Sequence, residues 1–327
     1  MTCQFPFYQL LLQPNGDVSP CCWNQKLILG NIKRQNLDEI WNGDQIKSLR
    51  REFISNRPVT CQKYMDEIGC HLKSQRDFPI PNQIHISEPP RRLDLRLNGR
   101  CNLKCIMCDV WSQKNGTYDE TSFWTKGPID IFPYLREIDM LGGEPFFQRD
   151  TFKLIEEVSR VNSQCSWAFV TNGNYSLQSK IKSALDGIRI RFIQVSIDSL
   201  NEDTYGSIRV GGLLSKSLKT LNDFISYRNR RILLGNGFKL FVSFCVQQRN
   251  WTEVEDFILF AIRNKVALVL QFAYEPSSAS LLGLDDLKRK SILLYFEKLR
   301  ISYGAIVDPI LLPLKNDQAE FGADAIL

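Results

Sequence analysis

The sequence predicts an α/β fold: a partial (β/α)6 barrel preceded by a small cysteine-rich domain. Three observations predict it. From residue 92 onward, apolar strand-like runs alternate with amphipathic helical runs, the pattern of parallel β-α units. Four prolines at 79, 81, 89 and 90 disfavour helix and mark an extended connection ahead of that region. Eight of the ten cysteines fall before residue 110, so the two halves differ in chemistry.

Residues 1–75 read as the small domain, 76–91 as a proline-rich linker, 92–275 as the barrel-like core and 276–327 as a C-terminal helix and tail. The first domain has short apolar stretches at Gln9–Leu12 and Leu27–Ile32. One helix is expected over Asn36–Phe53, where Leu37, Ile40, Trp41, Ile46, Leu49 and Phe53 recur near helical spacing. Core strands are expected at 92–98, 136–141, 166–171, 190–197, 238–247 and 267–274. Helices are expected at 119–134 (interrupted at Gly127-Pro128), 149–161, 176–186, 214–228 and 251–264, with a last one at 284–302. Six units fall short of the eight of a closed barrel.

Composition narrows the function classes. The 327 residues carry a net charge of +5, from 41 basic and 36 acidic side chains. That mild excess permits an anionic substrate without the clustered basic stripe of a nucleic-acid binder. The dense patches Lys47–Arg51, Arg228–Arg231 and Lys288–Lys290 read as solvated helix faces. No apolar run approaches the ~20 residues of a membrane span. The N-terminus lacks a secretory pattern, so a cytoplasmic location is expected. In a reducing compartment a cysteine set is more often metal-binding or catalytic than disulfide-bonded.

Cys101, Cys105 and Cys108 form a C-x3-C-x2-C run directly after the first core strand. The C-terminal ends of strands are where β-α folds build their sites. Four thiolates close a [4Fe–4S] cluster; three leave one iron open to a small chelating molecule. Structural zinc wants four closed ligands, and this loop supplies three. A zinc site and a chance grouping of core cysteines are the rival readings.

In these residues the chain resembles the radical S-adenosylmethionine (SAM) superfamily, and further segments match in order. Leu141-Gly142-Gly143-Glu144-Pro145 closes the second strand and looks like that family's GGEP segment. Val170-Thr171-Asn172-Gly173 closes the third, like its TNG segment. Val195-Ser196-Ile197-Asp198-Ser199 closes the fourth, like its S-x-D segment, and Asn250 follows the fifth. The resemblance covers residues 92 to about 275. It implies that Cys101, Cys105 and Cys108 hold a [4Fe–4S] cluster whose open iron chelates SAM. Gly142, Gly143, Glu144, Pro145, Asn172, Ser196 and Asp198 would surround the SAM. Glycines let backbone approach a ligand, and Glu144 suits an ammonium. An electron from the cluster would cleave SAM to a 5′-deoxyadenosyl radical, which takes hydrogen from a substrate. Met107 stands where the family usually has an aromatic residue; its polarizable sulfur suits packing beside adenine.

Cys3-x12-Gly16-x4-Cys21, with Cys22, Cys61 and Cys70 around it, looks like the twitch/SPASM module of the same enzymes. That resemblance implies one auxiliary Fe–S cluster on Cys3, Cys21, Cys61 and Cys70, with Cys22 in reserve. Here the module precedes the barrel, whereas in most relatives it follows. A four-cysteine zinc knot is the rival reading, and His71 a further candidate ligand.

Strand alternation puts Ser243, Cys245 and Gln247 on one face, and Gln271 and Glu275 on one face of the next strand. Cys245 is the candidate catalytic residue, as a donor of hydrogen or a proton; an ordinary small core residue is the bland alternative. Arg209, after the fourth strand, is a candidate partner for a carboxylate of SAM or substrate. His71 and His85 both lie outside the barrel, so histidine acid–base chemistry is not expected. The resemblance implies a peptide or small-molecule substrate, such as a natural product or sugar, and a reductase or flavodoxin-type electron donor. Neither nucleic acid nor membrane is expected as a partner. A non-catalytic Fe–S electron-transfer or scaffold protein on the same fold is the alternative function.

Overall fold

The computed structural model describes residues 3–66, 70, 81–113 and 115–323, without side chains at 63–66 and 316–323. His71 lies outside the described residues, and His85 is exposed. The strands are β1 (Gln9–Leu12), β2 (Asp17–Ser19), β3 (Gly30–Asn31), β4 (Arg92–Leu95), β5 (Lys104–Cys105), β6 (Glu137–Met140), β7 (Ser166–Thr171), β8 (Arg189–Ser196), β9 (Arg209–Val210), β10 (Lys239–Val246) and β11 (Ala267–Phe272). The helices are α1 (Leu37–Trp41), α2 (Asp44–Ile54), α3 (Val59–Asp66), α4 (Phe123–Asp130), α5 (Arg149–Val161), α6 (Ser179–Asp186), α7 (Glu202–Ile208), α8 (Leu214–Leu233), α9 (Val254–Arg263), α10 (Asp286–Tyr303) and α11 (Asp308–Ala323). The expected strand–helix alternation from residue 92 is present, and the six expected core strands appear as β4, β6, β7, β8, β10 and β11.

The chain divides into two compact units. The first holds the chain up to Cys101, with Val110–Val170 and Gln178–Arg191; the second holds Asn102–Asp109, Thr171–Leu177 and everything from Phe192 onward.

In the first unit β4 pairs in parallel with β6, and β6 with β7. The N-terminal region joins this sheet directly. β1 pairs in parallel with β4, Gln9 opposite Arg92 and Leu12 opposite Leu95, while β2 and β3 extend it antiparallel. The apolar run Leu10–Leu12 explains why: all three side chains are fully buried. Gly16, at φ 91°, makes the turn between β1 and β2, and a Cβ there would press on Thr117, Asn31 and Ile32.

The single helix expected over Asn36–Phe53 is two. Asn36 starts α1 with a capping box to Glu39. The break follows at Asn42-Gly43. The Asn42 side chain accepts from the Ile86 N–H at 3.0 Å and donates to its carbonyl at 2.9 Å, and Gly43 is extended before α2 begins. Arg50 on α2 is fully buried. It donates to the carbonyls of Pro6 (2.8 Å) and Ile84 (2.9 Å) and lies 4.3 Å over the Trp41 ring. With no carboxylate beside it among the described residues, burial lowers its pKa to about 10. These contacts fasten the described part of the proline-rich segment to α1 and α2.

One face of β4 and β6 is charged. Arg92 pairs with Asp94 at 3.0 Å and with Asp139, and Arg191 pairs with Glu137 and Asp139. The opposite face carries Leu93, Leu95, Ile138 and Met140, all fully buried. Burial pushes the Asp139 carboxyl up to about 6, with Asp94 adding to it and Arg92 and Arg191 opposing.

In the second unit β8 pairs in parallel with β10, and β10 with β11. Phe244 on β10 meets Phe257 of α9 at 4.6 Å, so Val242, Phe244 and Val246 form the helix-covered face. A two-residue antiparallel ladder, Lys104 opposite Val210 and Cys105 opposite Arg209, ties the cysteine loop to the end of α7. The tail after residue 310 carries no clear pattern in the sequence; α11 occupies it up to Ala323.

Candidate active site

In each unit the candidate residues lie on loops at the C-terminal ends of strands. In the first unit, the run from β4 to Cys101 is locked onto the segment after β6. Gly143 N–H donates to the Asn98 carbonyl (3.2 Å) and Glu144 N–H to that of Arg100 (2.9 Å). The Gln148 amide reaches the same two carbonyls, and the Asn98 amide donates to Asp150 at 2.6 Å. Both glycines are required by this approach. Gly142 has φ 96°, and a Cβ at Gly143 would lie 2.2 Å from the Arg100 carbonyl oxygen. Pro145 opens a single 3-10 turn, and the fully buried Glu144 accepts from the Phe146 N–H at 3.3 Å.

In the second unit, Asp198 and Arg209 are 1 % and 6 % exposed and pair at 2.7 Å. The guanidinium expected to face a ligand carboxylate therefore has an internal one. Arg209 also donates to Cys105 Sγ at 3.9 Å. Burial works against its charge, but Asp198 together with Cys105, Tyr205 and Cys245 outweighs burial, so its pKa is raised. Burial raises the Asp198 carboxyl, and Arg209 opposes. The other Asp198 oxygen accepts from Cys245 N–H at 2.8 Å, and Asn250 donates to the Asp198 carbonyl at 2.7 Å. A continuous chain thus runs from Cys105 through Arg209 and Asp198 to Cys245. Burial pushes the Cys245 thiol well above its ordinary value, with Asp198 adding to it. Ser196 sits 3.1 Å from Ser243, hydroxyl to hydroxyl. Asn172 donates to Asn102 at 2.8 Å and accepts from the Asn174 N–H, so it braces the stretch next to Cys101. Met107 is half-buried. Cys101, Cys105 and Cys108 are all half-buried, reachable yet shielded.

The N-terminal cysteines form a separate group in the first unit. Burial raises the thiols of Cys3 and Cys21; Cys61 and Cys70 add to it at Cys3, and Cys22 and then Cys3 add to it at Cys21. Burial pushes the Cys3 thiol up to about 12. Asn24 bridges two of them: its N–H donates to Cys21 Sγ at 3.4 Å and its amide to Cys61 Sγ at 3.7 Å. Sequence reasoning misses Asn24, although an amide three residues past a metal-type cysteine is a readable signal. Cys22 differs. Burial pushes it up to about 11, and its charged neighbours are Asp94, Arg96 and Arg92 on β4 and just beyond it.

The donor set suits iron–sulfur chemistry. Thiols dominate both groups, and the core loop offers three. Among the described residues, no three His, Cys, Asp or Glu side chains converge to grip a single ion. A four-iron cluster holds its ligands further apart than one ion does.

Comparison with known proteins agrees. Residues 95–260 of the 327 match the radical SAM superfamily, and residues 3–63 match an iron-sulfur cluster-binding domain, SPASM. The second match takes in Cys3, Cys21, Cys22 and Cys61 and stops short of Cys70. The GTP 3′,8-cyclase of Clostridium botulinum (strain Hall) is 28 % identical over 142 residues, 41 % of this chain and 43 % of that protein. That of Aquifex aeolicus is 30 % identical over 124 residues, 36 % and 38 % of the two chains. The chain therefore spans about two-fifths of the length of these curated relatives. Streptococcus suis SuiB bound to precursor peptide SuiA aligns with a TM-score of 0.48 at 15 % identity, covering 66 % of this chain and 47 % of that one. The cofactors that go with the two matched families are SAM, a [4Fe–4S] cluster and an auxiliary Fe–S cluster. With its cysteine loop, its glycine segment and a superfamily match running from β4 into α9, the chain belongs to the radical SAM superfamily of enzymes.

Proposed function

We propose that this enzyme abstracts hydrogen from a peptide or from a small natural product or sugar. Reductive SAM cleavage is general to its family; the substrate class is our own reading. Cys101, Cys105 and Cys108 hold the [4Fe–4S] cluster. Gly142, Gly143, Glu144, Pro145, Asn172, Ser196 and Met107 surround SAM. Cys3, Cys21, Cys61 and Cys70 hold the auxiliary cluster, and a reductase or flavodoxin-type protein supplies electrons. When loaded, the cluster supplies the electron that splits SAM into methionine and a 5′-deoxyadenosyl radical.

The observation that carries this reading is the buried Arg209 between Cys105 Sγ and Asp198. Its positive charge balances the negative charge a ligating thiolate carries. Asp198 fixes the guanidinium and, through the Cys245 N–H, holds β10 beside it. Cys245 keeps its proton and stands ready to return a hydrogen atom to a substrate radical; the thiyl radical left behind would be restored by one electron from the same reductase or flavodoxin-type donor and a proton from solvent. The polar face of Ser243 and Cys245, with the exposed Gln271 in register beside Cys245, suits a polar substrate.

The test is anaerobic incubation of the reconstituted, reduced protein with SAM, beside a variant with Cys101, Cys105 and Cys108 all changed to Ala. Wild type alone is expected to release 5′-deoxyadenosine and methionine. Deuterated peptides and sugars then identify the substrate class by label transfer into 5′-deoxyadenosine. A loaded, reducible wild type that leaves SAM intact with every candidate would point to electron transfer instead.

A further inference from the structure

Gln247 follows β10 directly, two residues beyond Cys245. It is 0 % exposed, and among the described residues neither its side-chain oxygen nor its side-chain nitrogen has a hydrogen-bond partner. A buried amide left without partners on both atoms costs the desolvation of each. Its main chain shows no such defect: the N–H donates to Asn250 Oδ1 at 2.8 Å, and the carbonyl accepts from Trp251. The backbone turn is therefore fully satisfied while the side chain it carries is not.

The direction of that side chain is inferred from the pleat of β10, which ends at Val246, one residue before it. Val242, Phe244 and Val246 face the helices, as the Phe244–Phe257 contact shows. Ser243, Cys245 and Gln247 alternate with them and belong to the other face. That face already carries the Ser196–Ser243 hydroxyl pair, and the Cys245 backbone is tied to Asp198 and so to Arg209 and Cys105. The orphaned amide thus stands at the same end of the strands as the cysteine loop.

We propose that the Gln247 amide reads the adenine of SAM. An amide offers one acceptor and one donor side by side, and adenine presents the complementary pair, its 6-amino group beside a ring nitrogen. Gln is a standard bidentate partner for that edge in nucleic-acid recognition. Two partners arriving together would satisfy both atoms at once. Gln247 then acts as a specificity residue for the nucleoside, and it aims the cleaved 5′ carbon by fixing the far end of the molecule. The proposal rests on the SAM reading above and adds to it a residue and a discrimination.

The test is calorimetric SAM binding to the full-length, cluster-loaded protein, without turnover. Wild type is expected to bind SAM about tenfold or more tightly than the analogue in which hydrogen replaces the 6-amino group. Gln247→Leu is expected to bind the two alike, with SAM weakened to the level of the analogue. Gln247→Glu, which keeps the shape and loses the donor, is expected to fall between them. Wild type binding SAM and analogue equally would overturn the proposal without touching the SAM reading, and it needs no variant. Wild type binding neither would sink both. Undiminished preference for SAM in Gln247→Leu would assign the discrimination to another residue and overturn the proposal as well.

Discussion

The two cysteine groups, proposed above to share one ligand chemistry, are built in opposite ways. The core group lies within eight consecutive residues, Cys101 to Cys108, and all three side chains are half-buried. The N-terminal group spans Cys3 to Cys70, with Cys21 and Cys70 buried. A short loop costs little to close, so the core group needs no metal to hold its chain together. The distant group comes from the N-terminal stretch, the segment just after β2 and α3, so a metal bound as proposed would act also as a staple. The difference teaches that the spacing of the cysteines, more than their exposure, separates the two groups. The core set, half-buried throughout, leaves room to admit a ligand, while the N-terminal set mixes half-buried Cys3 and Cys61 with buried Cys21 and Cys70.

The largest effect that can break this comparison is loss of chemistry. Cys105→Ala is expected to cut SAM cleavage by about a thousandfold or more, while unfolding of the metal-free protein moves by no more than ~0.5 kcal/mol. Cys61→Ala should do the reverse, lowering iron content and the melting temperature of the loaded protein while SAM cleavage without substrate persists. Equal stability losses from both would collapse the distinction.

Next comes the buried pair beside the core loop. Asp198→Asn leaves the Arg209 charge without its partner and is expected to cost about 3–5 kcal/mol in denaturant unfolding. Adding Arg209→Met should recover part of that loss. A surface-like cost below ~1 kcal/mol would show that the pair is hydrated.

A smaller effect sharpens the N-terminal side. Hydrogen bonds to cluster sulfurs help set reduction potential. Asn24→Leu removes the amide donor to Cys61 and is expected to shift the auxiliary cluster's midpoint potential downward, read by a redox titration with electron paramagnetic resonance. Cys22→Ser, next to Cys21 but set among Asp94, Arg96 and Arg92, should leave auxiliary iron content unchanged.

The smallest effect lies on the charged face of β4 and β6. Asp139 is pushed up to about 6 in the folded chain, above its unfolded value. Its contribution to stability is therefore present below about pH 4 and lost as pH rises through 6. Unfolding free energy of the metal-free protein is expected to fall by about 1–3 kcal/mol across that window. Asp139→Asn should flatten the fall, whatever its effect on absolute stability.

Much of this is legible in the sequence because it is local. Helix 149–161 and strand 166–171 match their expected bounds to the residue, since Leu154, Ile155 and Val158 keep helical spacing and Trp167 to Val170 is a plain apolar run. The cysteine loop and the Gly142-Gly143 segment are visible for the same reason. What escapes depends on partners far away in the chain. The break at Asn42 is set by Ile86, and the Arg209–Asp198 pair forms across the turn and α7. The β5–β9 ladder is two residues long on each side, too short to leave any periodicity. The orphaned amide of Gln247 is a property of its surroundings, and no sequence pattern reports it.

The parallel pairing of β1 with β4 has a consequence for biosynthesis. Gln9 leaves the ribosome ~80 residues ahead of Arg92, its opposite number. At about 5–20 residues per second, β1 waits on the order of 4–16 s for that neighbour. During that interval β2 can cover one edge of β1, while the other edge and the apolar Leu10–Leu12 run stay open. The nascent chain thus carries a sticky strand past every other polypeptide in reach. Protection of the first hundred residues during synthesis is then expected to raise the yield of folded enzyme.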